Sequence, residues 1–215
     1  MDALLTQLSE LLHNVDWLEV GQALLDTLAM LGLSLGFTVL IGLPLGLVLF
    51  LTGRKQLHAR ATIYRTLSVA INILRSLPFV ILLIVMVPLT AFLTGTTLGI
   101  AGAVPPLVAG TAPFFARLVE TALREVDHGL IEATLAMGGN TRQVIWHTLL
   151  PQARAGLIAA TTVTAVLLVD YTAMAGVVGG GGLGDLAIRF GYQRFQTDVM
   201  VVTVSVWTFQ SPRDR

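Results

Sequence analysis

Cysteine does not occur in these 215 residues, which excludes disulfides and thiolate metal sites and leaves the redox compartment unmarked. Charge is scarce as well. Asp, Glu, Lys and Arg make up 12% of the chain, where soluble domains carry roughly 25%. The 13 acidic and 13 basic residues cancel, and no basic stripe is present to meet a nucleic acid. Lysine appears once, at Lys55, so a phosphate-binding loop has no lysine following its glycines. The four histidines, His13, His58, His128 and His147, show no metal-ligand spacing. No solenoid-length repeat is apparent. What remains is apolar: 54% of residues are hydrophobic and the mean hydropathy is +0.79. This composition specifies an all-α integral membrane protein.

The apolar runs predict about five transmembrane helices. Thr27 to Gly53 holds 27 residues without a charge, and about 20 suffice to cross a bilayer. A second run covers Thr66 to Leu93, broken by Arg75. A third begins near Gly102 and loses its apolar character after Ala116. A fourth runs from Gly156 to about Val178 around Asp170, and a fifth starts at Val199. Gly42, Pro44, Pro78, Pro88, Pro105, Pro106 and Pro113 are candidate bends. Leu4, Leu8, Leu11, Leu12, Val15 and Leu18 recur at helical spacing. Residues 1–26 are therefore expected to form an amphipathic lead-in on the outer surface, or a plain entry to the first span. The acidic start is unlike a cleavable signal peptide. Residues 27–215 are expected to form one transmembrane domain.

Basic residues set the orientation. Residues 1–53 contain no Lys or Arg, whereas the next loop has Arg54, Lys55, Arg60 and Arg65. The polar region after the third run holds Arg117, Arg124, Arg142 and Arg154. The N-terminus is thus expected outside and the loop at about 124–155 in the cytoplasm.

Two glycine patterns carry no catalytic reading. "GLSLG" at 32–36 matches a serine-hydrolase elbow, which requires a strand, a tight turn and a helix, but it sits inside an apolar helical run. Gly32 with Gly36, and Gly42 with Gly46, have the spacing for close helix packing. "GVVGGGGLGDL" at 176–186 is expected to be flexible or tightly turned backbone.

The stretch with the most distinctive pattern is "EATLAMGGNTRQVIWHTLLP", residues 132–151. Helical spacing places Leu130, Ala133 and Met137 on one face and Glu132, Ala136 and Gly139 on another. Gly138 and Gly139 then break the helix, Asn140 or Thr141 caps a second one, and Pro151 ends or bends it. Two readings follow: an ordinary loop packed on its own bundle, or a compact knob offered to another protein.

The segment resembles the loop of ABC importer membrane subunits, written E-A-A, three residues, G, nine residues, I-x-L-P. Glu132, Ala133, Gly138, Leu150 and Pro151 match, while Thr134 stands for the second alanine and Thr148 for the isoleucine. "YRTLSVAINILRSLPFVILLIVMVPLT", "AGTAPFFARLVETALREV" and "GGGGLGDLAIRFGYQRF" are similar to the permease subunit of bacterial methionine importers, over roughly residues 25–205. The resemblance implies a type I importer permease in the bacterial inner membrane. It would be a homodimer on two ATP-binding subunits, served by an external methionine-binding protein. ATP and Mg²⁺ would reside in the partner ATPase, with no cofactor and no enzymatic activity in this chain. Glu132, Ala133, Ala136, Gly138, Leu150 and Pro151 would form the coupling helix that meets the ATPase. The substrate implied is methionine, L- with D- as a second form, and otherwise another small amino acid or sulfur compound.

Two charges lie within runs. Arg75 falls in an R-S-x-P stretch and is expected to snorkel or to pair within the dimer. Asp170 is deeper, where a carboxylate costs on the order of 2.5–3.5 kcal/mol. It either lines a wet translocation path with Tyr171 and Met174 or is the buried partner of an arginine. An ion-coupled secondary transporter with Asp170 as proton site is the competing class, but it calls for inverted repeats and leaves 132–151 without a role. After Asp198 the apolar run has 11 residues, about 16 Å of helix. The last helix, 199–215, is therefore expected to be a half-span or a truncated one.

Overall fold

The computed structural model describes residues 16–53, 58–195 and 197–210, and among them there is no strand. Helix α1, Trp17–Thr52, begins upstream of the expected span, where Asp16 Oδ1 accepts from the Leu18 and Glu19 amides at 3.0 and 3.3 Å. Leu18 is exposed on it, while Leu4, Leu8, Leu11, Leu12 and Val15 lie outside the described residues. α2 (Ala61–Ser76) and α3 (Phe79–Thr94) divide the second apolar run, which breaks at Pro78, one of the expected bends. Pro78 dictates the break: its ring disfavours helical backbone in the preceding residue, and Leu77 is extended at φ −78°, ψ 129°. By contrast, α1 continues through Pro44, α3 through Pro88, and α4 (Gly99–Arg124) through Pro105, Pro106 and Pro113.

Downstream of α4 come α5 (His128–Ala136) and α6, which runs Thr141–Gln143, then a π-helical turn Val144–Leu149, then Leu150–Gln152. α7 (Arg154–Ala175) runs into a wide turn at Gly176–Gly180. α8 (Gly182–Leu186) continues through Ala187–Tyr192, and α9 spans Thr197–Gln210. Among the described residues, α1, α4 and α7 with its turn are long and apolar enough to cross a bilayer, and the bent α2–α3 pair makes a fourth if counted as one span. α9 has 14 residues, about 21 Å at 1.5 Å each, short of the roughly 30 Å of hydrocarbon.

The chain divides into two compact units. One collects the segment up to Ser34, Phe79–Leu107 and the residues from Val166 on; the other holds Leu35–Pro78 and Val108–Ala165. In the first, Val20 and Ala23 of α1 pack with Leu183, Leu186, Val199 and Val202. The glycine-rich stretch is tight rather than loose. Gly182 has φ +77°, and a Cβ there would stand 2.5 Å from Thr27 Oγ1. That oxygen accepts from the Leu183 amide at 2.8 Å and donates to the Ala23 carbonyl at 2.9 Å. A buried span threonine thus serves the first turn of α8.

In the second unit, Phe50, Phe115, Val119, Leu123, Ile131, Val144, Leu149, Ala153 and Ala160 form the core. The two glycine pairs of α1 separate here. Gly42 and Gly46 lie against α4, where a Cβ on Gly46 would come within 2.6 Å of Val119 Cβ and 2.7 Å of the Ala116 carbonyl; Gly32 and Gly36 meet nothing within 4 Å. Among the described residues, close packing within the chain accounts for the second pair and not the first. Thr38 and Thr111 add a buried hydroxyl–hydroxyl bond of 2.7 Å between the same helices.

α2 is held to α4 by a charge cluster. Glu120, 2% exposed, accepts from Arg117 at 2.7 Å, from Arg124 at 2.6 and 3.1 Å, and from Tyr64 Oη at 3.2 Å. Arg117 also donates to Ser68 Oγ at 2.8 Å and Asn72 Oδ1 at 3.1 Å. The carboxylate thus organises two guanidiniums and three polar groups of α2.

Two variants, each with a control, test this packing by thermal unfolding of the detergent-purified protein. Gly46→Ala should lower stability by about 1–3 kcal/mol through overpacking, whereas Gly36→Ala should leave it unchanged or raise it slightly. Glu120→Gln leaves two part-exposed arginines facing a neutral amide and weakens charge-assisted hydrogen bonds, a loss of about 1.5–3 kcal/mol. It should lower the melting temperature beyond Arg189→Gln, which removes surface pairs to Asp185 and Glu19, each about 0–1 kcal/mol, and a contact with the Phe190 ring.

Candidate functional site

The stretch singled out by sequence folds as a helix–turn–helix knob in the second unit, between α4 and α7. Asp127 caps α5 by accepting from the Gly129 amide at 2.8 Å. α5 ends as the paired glycines dictate. Gly138 adopts φ +82°; its amide donates to the Leu135 carbonyl at 2.9 Å and that of Gly139 to Thr134 at 3.0 Å. This bond pair is a Schellman cap, and its left-handed residue is where glycine carries no steric cost. Asn140, rather than Thr141, then starts α6 with a reciprocal capping box: Oδ1 accepts from the Gln143 amide at 2.9 Å, and Gln143 Oε1 accepts from the Asn140 amide at 2.8 Å. Every step of the turn is hydrogen-bonded, so the two helices are set at a fixed angle.

The knob is amphipathic. Ile131, Val144 and Leu149 are buried in one cluster with Phe115, Val119 and Leu123 of α4, and Thr148 is buried beside them in sequence. Facing away are Leu130, Ala133, Leu135 and Ala136, with Met137 81% and Trp146 61% exposed. Beside Trp146 a shallow cleft of about 310 Å³ is lined by Asn140, Arg142, Gln143 and His147. The His58 ring meets Thr141 Oγ1 at 3.1 Å, joining the loop after α1 to the start of α6. Of the residues matched to the importer pattern, Glu132, Ala133, Ala136, Gly138 and Pro151 are exposed and Leu150 is half-buried. The structure brings them onto one element. That element presents an apolar surface beside the Arg142 side chain, which suits it to protein contact.

Asp170, Tyr171 and Met174 lie together on α7 in the other unit. Asp170 and Met174 are exposed, four residues apart, in line with exposed Val166 and Val177. Tyr171 is half-buried, its ring stacked on Phe79 with centroids 4.2 Å apart at 13°. Among the described residues no cation pairs with Asp170. Arg75 instead lies over the Phe114 ring at 5.5 Å, within the second unit. Among the described residues no three His, Asp or Glu gather as metal ligands. Sequence reasoning missed Glu120. The signal was present in Arg117, Glu120 and Arg124, spaced three and four apart so that opposite charges share a helix face.

Residues 39–209 match the family described as the inner membrane component of binding-protein-dependent transport systems. The chain is 41% identical to a probable D-methionine transport system permease protein, MetI, of Vibrio cholerae, over 91% of this chain and 84% of that one. It is 48% identical to the methionine import system permease protein MetP of Bacillus subtilis, over 88% and 85%. The fold superposes on an inward-facing crystal form of the MetNI methionine ABC transporter with a TM-score of 0.88 and 43% identity, covering 89% of each chain. A knob of this pattern on a bundle of this fold, with likeness of this extent, has one meaning: the chain belongs to the inner-membrane permease family of binding-protein-dependent ABC transport systems.

Proposed function

We propose that this chain is the permease subunit of an ATP-driven methionine importer, a homodimer in the bacterial inner membrane that sits on two ATP-binding subunits and receives methionine from an external binding protein. The relatives' names support the substrate. The knob supports the partner: it projects Met137 and Trp146 from an element whose other face is committed to α4. An apolar surface of this kind needs a cover, and a groove on an ATPase supplies one. The positive-inside rule puts the knob in the cytoplasm, beside the nucleotide, and the N-terminus outside. ATP and Mg²⁺ belong to that partner, since the single lysine, Lys55, follows no phosphate-loop glycines.

Transport then proceeds by alternating access. Closure of the ATPase pair displaces the knob, whose buried face carries α4 with it. Glu120 passes the displacement to α2 through Tyr64, and through Arg117 to Ser68 and Asn72. Asp170 and Met174, exposed on α7, face the wet path, because an ionised carboxylate on a lipid face would cost about 2.5–3.5 kcal/mol.

The test is uptake of labelled methionine by cells lacking their own importers and expressing this chain with its ATPase and binding protein. Wild type should accumulate methionine, and ATP depletion should abolish the uptake. Gly138→Val forces a β-branched residue into left-handed backbone, a strain of about 1–3 kcal/mol, and should reduce uptake about tenfold or more without preventing membrane insertion. Assembled complex that imports another solute and ignores methionine would refute the substrate assignment.

A further inference from the structure

The importer pattern fails at two positions in this chain, Thr134 and Thr148, and the structure places those two side chains in contact. Thr134 Oγ1 and Thr148 Oγ1 are 2.8 Å apart, joining α5 to α6. Thr134 also donates to the Leu130 carbonyl at 2.8 Å, which commits its single proton. Thr148 is therefore the donor across the helices and Thr134 the acceptor. Thr148 is buried and Thr134 half-buried, so neither hydroxyl is replaced by bulk water without loss. The Thr134 methyl also lies under the turn, 2.9 Å from where a Cβ of Gly139 would stand. The apolar contacts of Ile131, Val144 and Leu149 are non-directional, whereas a hydroxyl–hydroxyl bond fixes distance and register.

We infer that Thr134 and Thr148 are a coupled pair of positioning residues, a hydrogen-bonded clasp that holds the α5–α6 angle while the knob is pushed. The two departures from the pattern thus meet each other, as one threonine–threonine bond. This rests on the reading of the knob as the element an ATPase moves. Losing either half alone is harmful. Thr134→Ala leaves the buried Thr148 proton without its acceptor, and Thr148→Ile sets an apolar branch against the Thr134 hydroxyl. Thr134→Ala with Thr148→Ile restores a matched contact. Thr148→Ser retains the donor.

The experiment reconstitutes the full complex in proteoliposomes with methionine and its binding protein, and reads methionine imported per ATP hydrolysed alongside the melting temperature. Each single substitution should lower that ratio about three- to tenfold, the range of one lost buried hydrogen bond. The double variant and Thr148→Ser should both return within about twofold of wild type, a non-additivity that only interacting residues show. Singles that melt earlier yet keep the wild-type ratio would overturn the positioning role, as would a double variant whose losses simply add. A wild-type complex without ATP-coupled methionine import would instead overturn the functional reading and the clasp's part in it together. A transporting wild type with unaffected singles would overturn the clasp alone.

Discussion

Helix ends leave peptide N–H and C=O groups without intrahelical partners, a cost of several kcal/mol each in hydrocarbon and a smaller one facing water, and three described breaks of this chain show how those groups are answered. At the bend after Ser76 the chain turns through Pro78, which has no N–H to lose. At 138–140 the exposed groups are answered by a Schellman cap and a capping box, six residues closing on themselves. At 181–183 the answer comes from a distant residue, Thr27, whose hydroxyl meets the Leu183 amide. These three breaks are thus closed by specific residues.

The knob shows what such order is for. Its turn is saturated internally, so its outer face is left for another molecule. Its inner face is bound to α4 by Phe115, Val119 and Leu123, and α4 is bound to α2 by Glu120 and its two arginines. Gly42 and Gly46 bring α1 against the same helix. In the proposed coupling, α4 is the beam through which a push on Met137 and Trp146 would reach two other helices of the unit. Soft contacts would absorb such a push; a buried carboxylate held by four hydrogen bonds, and the proposed clasp between two hydroxyls, are directional contacts that would carry it.

The loop was legible because its chemistry is local. Glycine at the left-handed position, an asparagine cap and a proline in the last turn are signals carried within 20 residues, and they fold as read. The apolar runs likewise gave α1, α4 and α7. The bend at Pro78 was visible as a proline but was one of several, and Pro44, Pro88 and Pro113 lie inside continuous helices; sequence does not say which proline a helix tolerates. Glu120 was hidden because Arg117 and Arg124 served as topology markers, which draws attention to their sign and away from their spacing. The glycine pairs looked equivalent, and only the position of α4 distinguishes Gly46 from Gly36. The Thr134–Thr148 bond could not be read at all, since a linear pattern scores two departures separately.

The absence of cysteine opens the most direct experiment. A single cysteine at Met137, labelled with a photoreactive maleimide in the assembled complex, reports what covers the knob, and one at Leu98, exposed in the other unit, serves as the comparison. Illumination should join position 137, and not position 98, to the ATP-binding subunit while methionine uptake persists before photolysis. A complex that transports methionine yet gives no adduct from position 137 with that subunit would contradict the account.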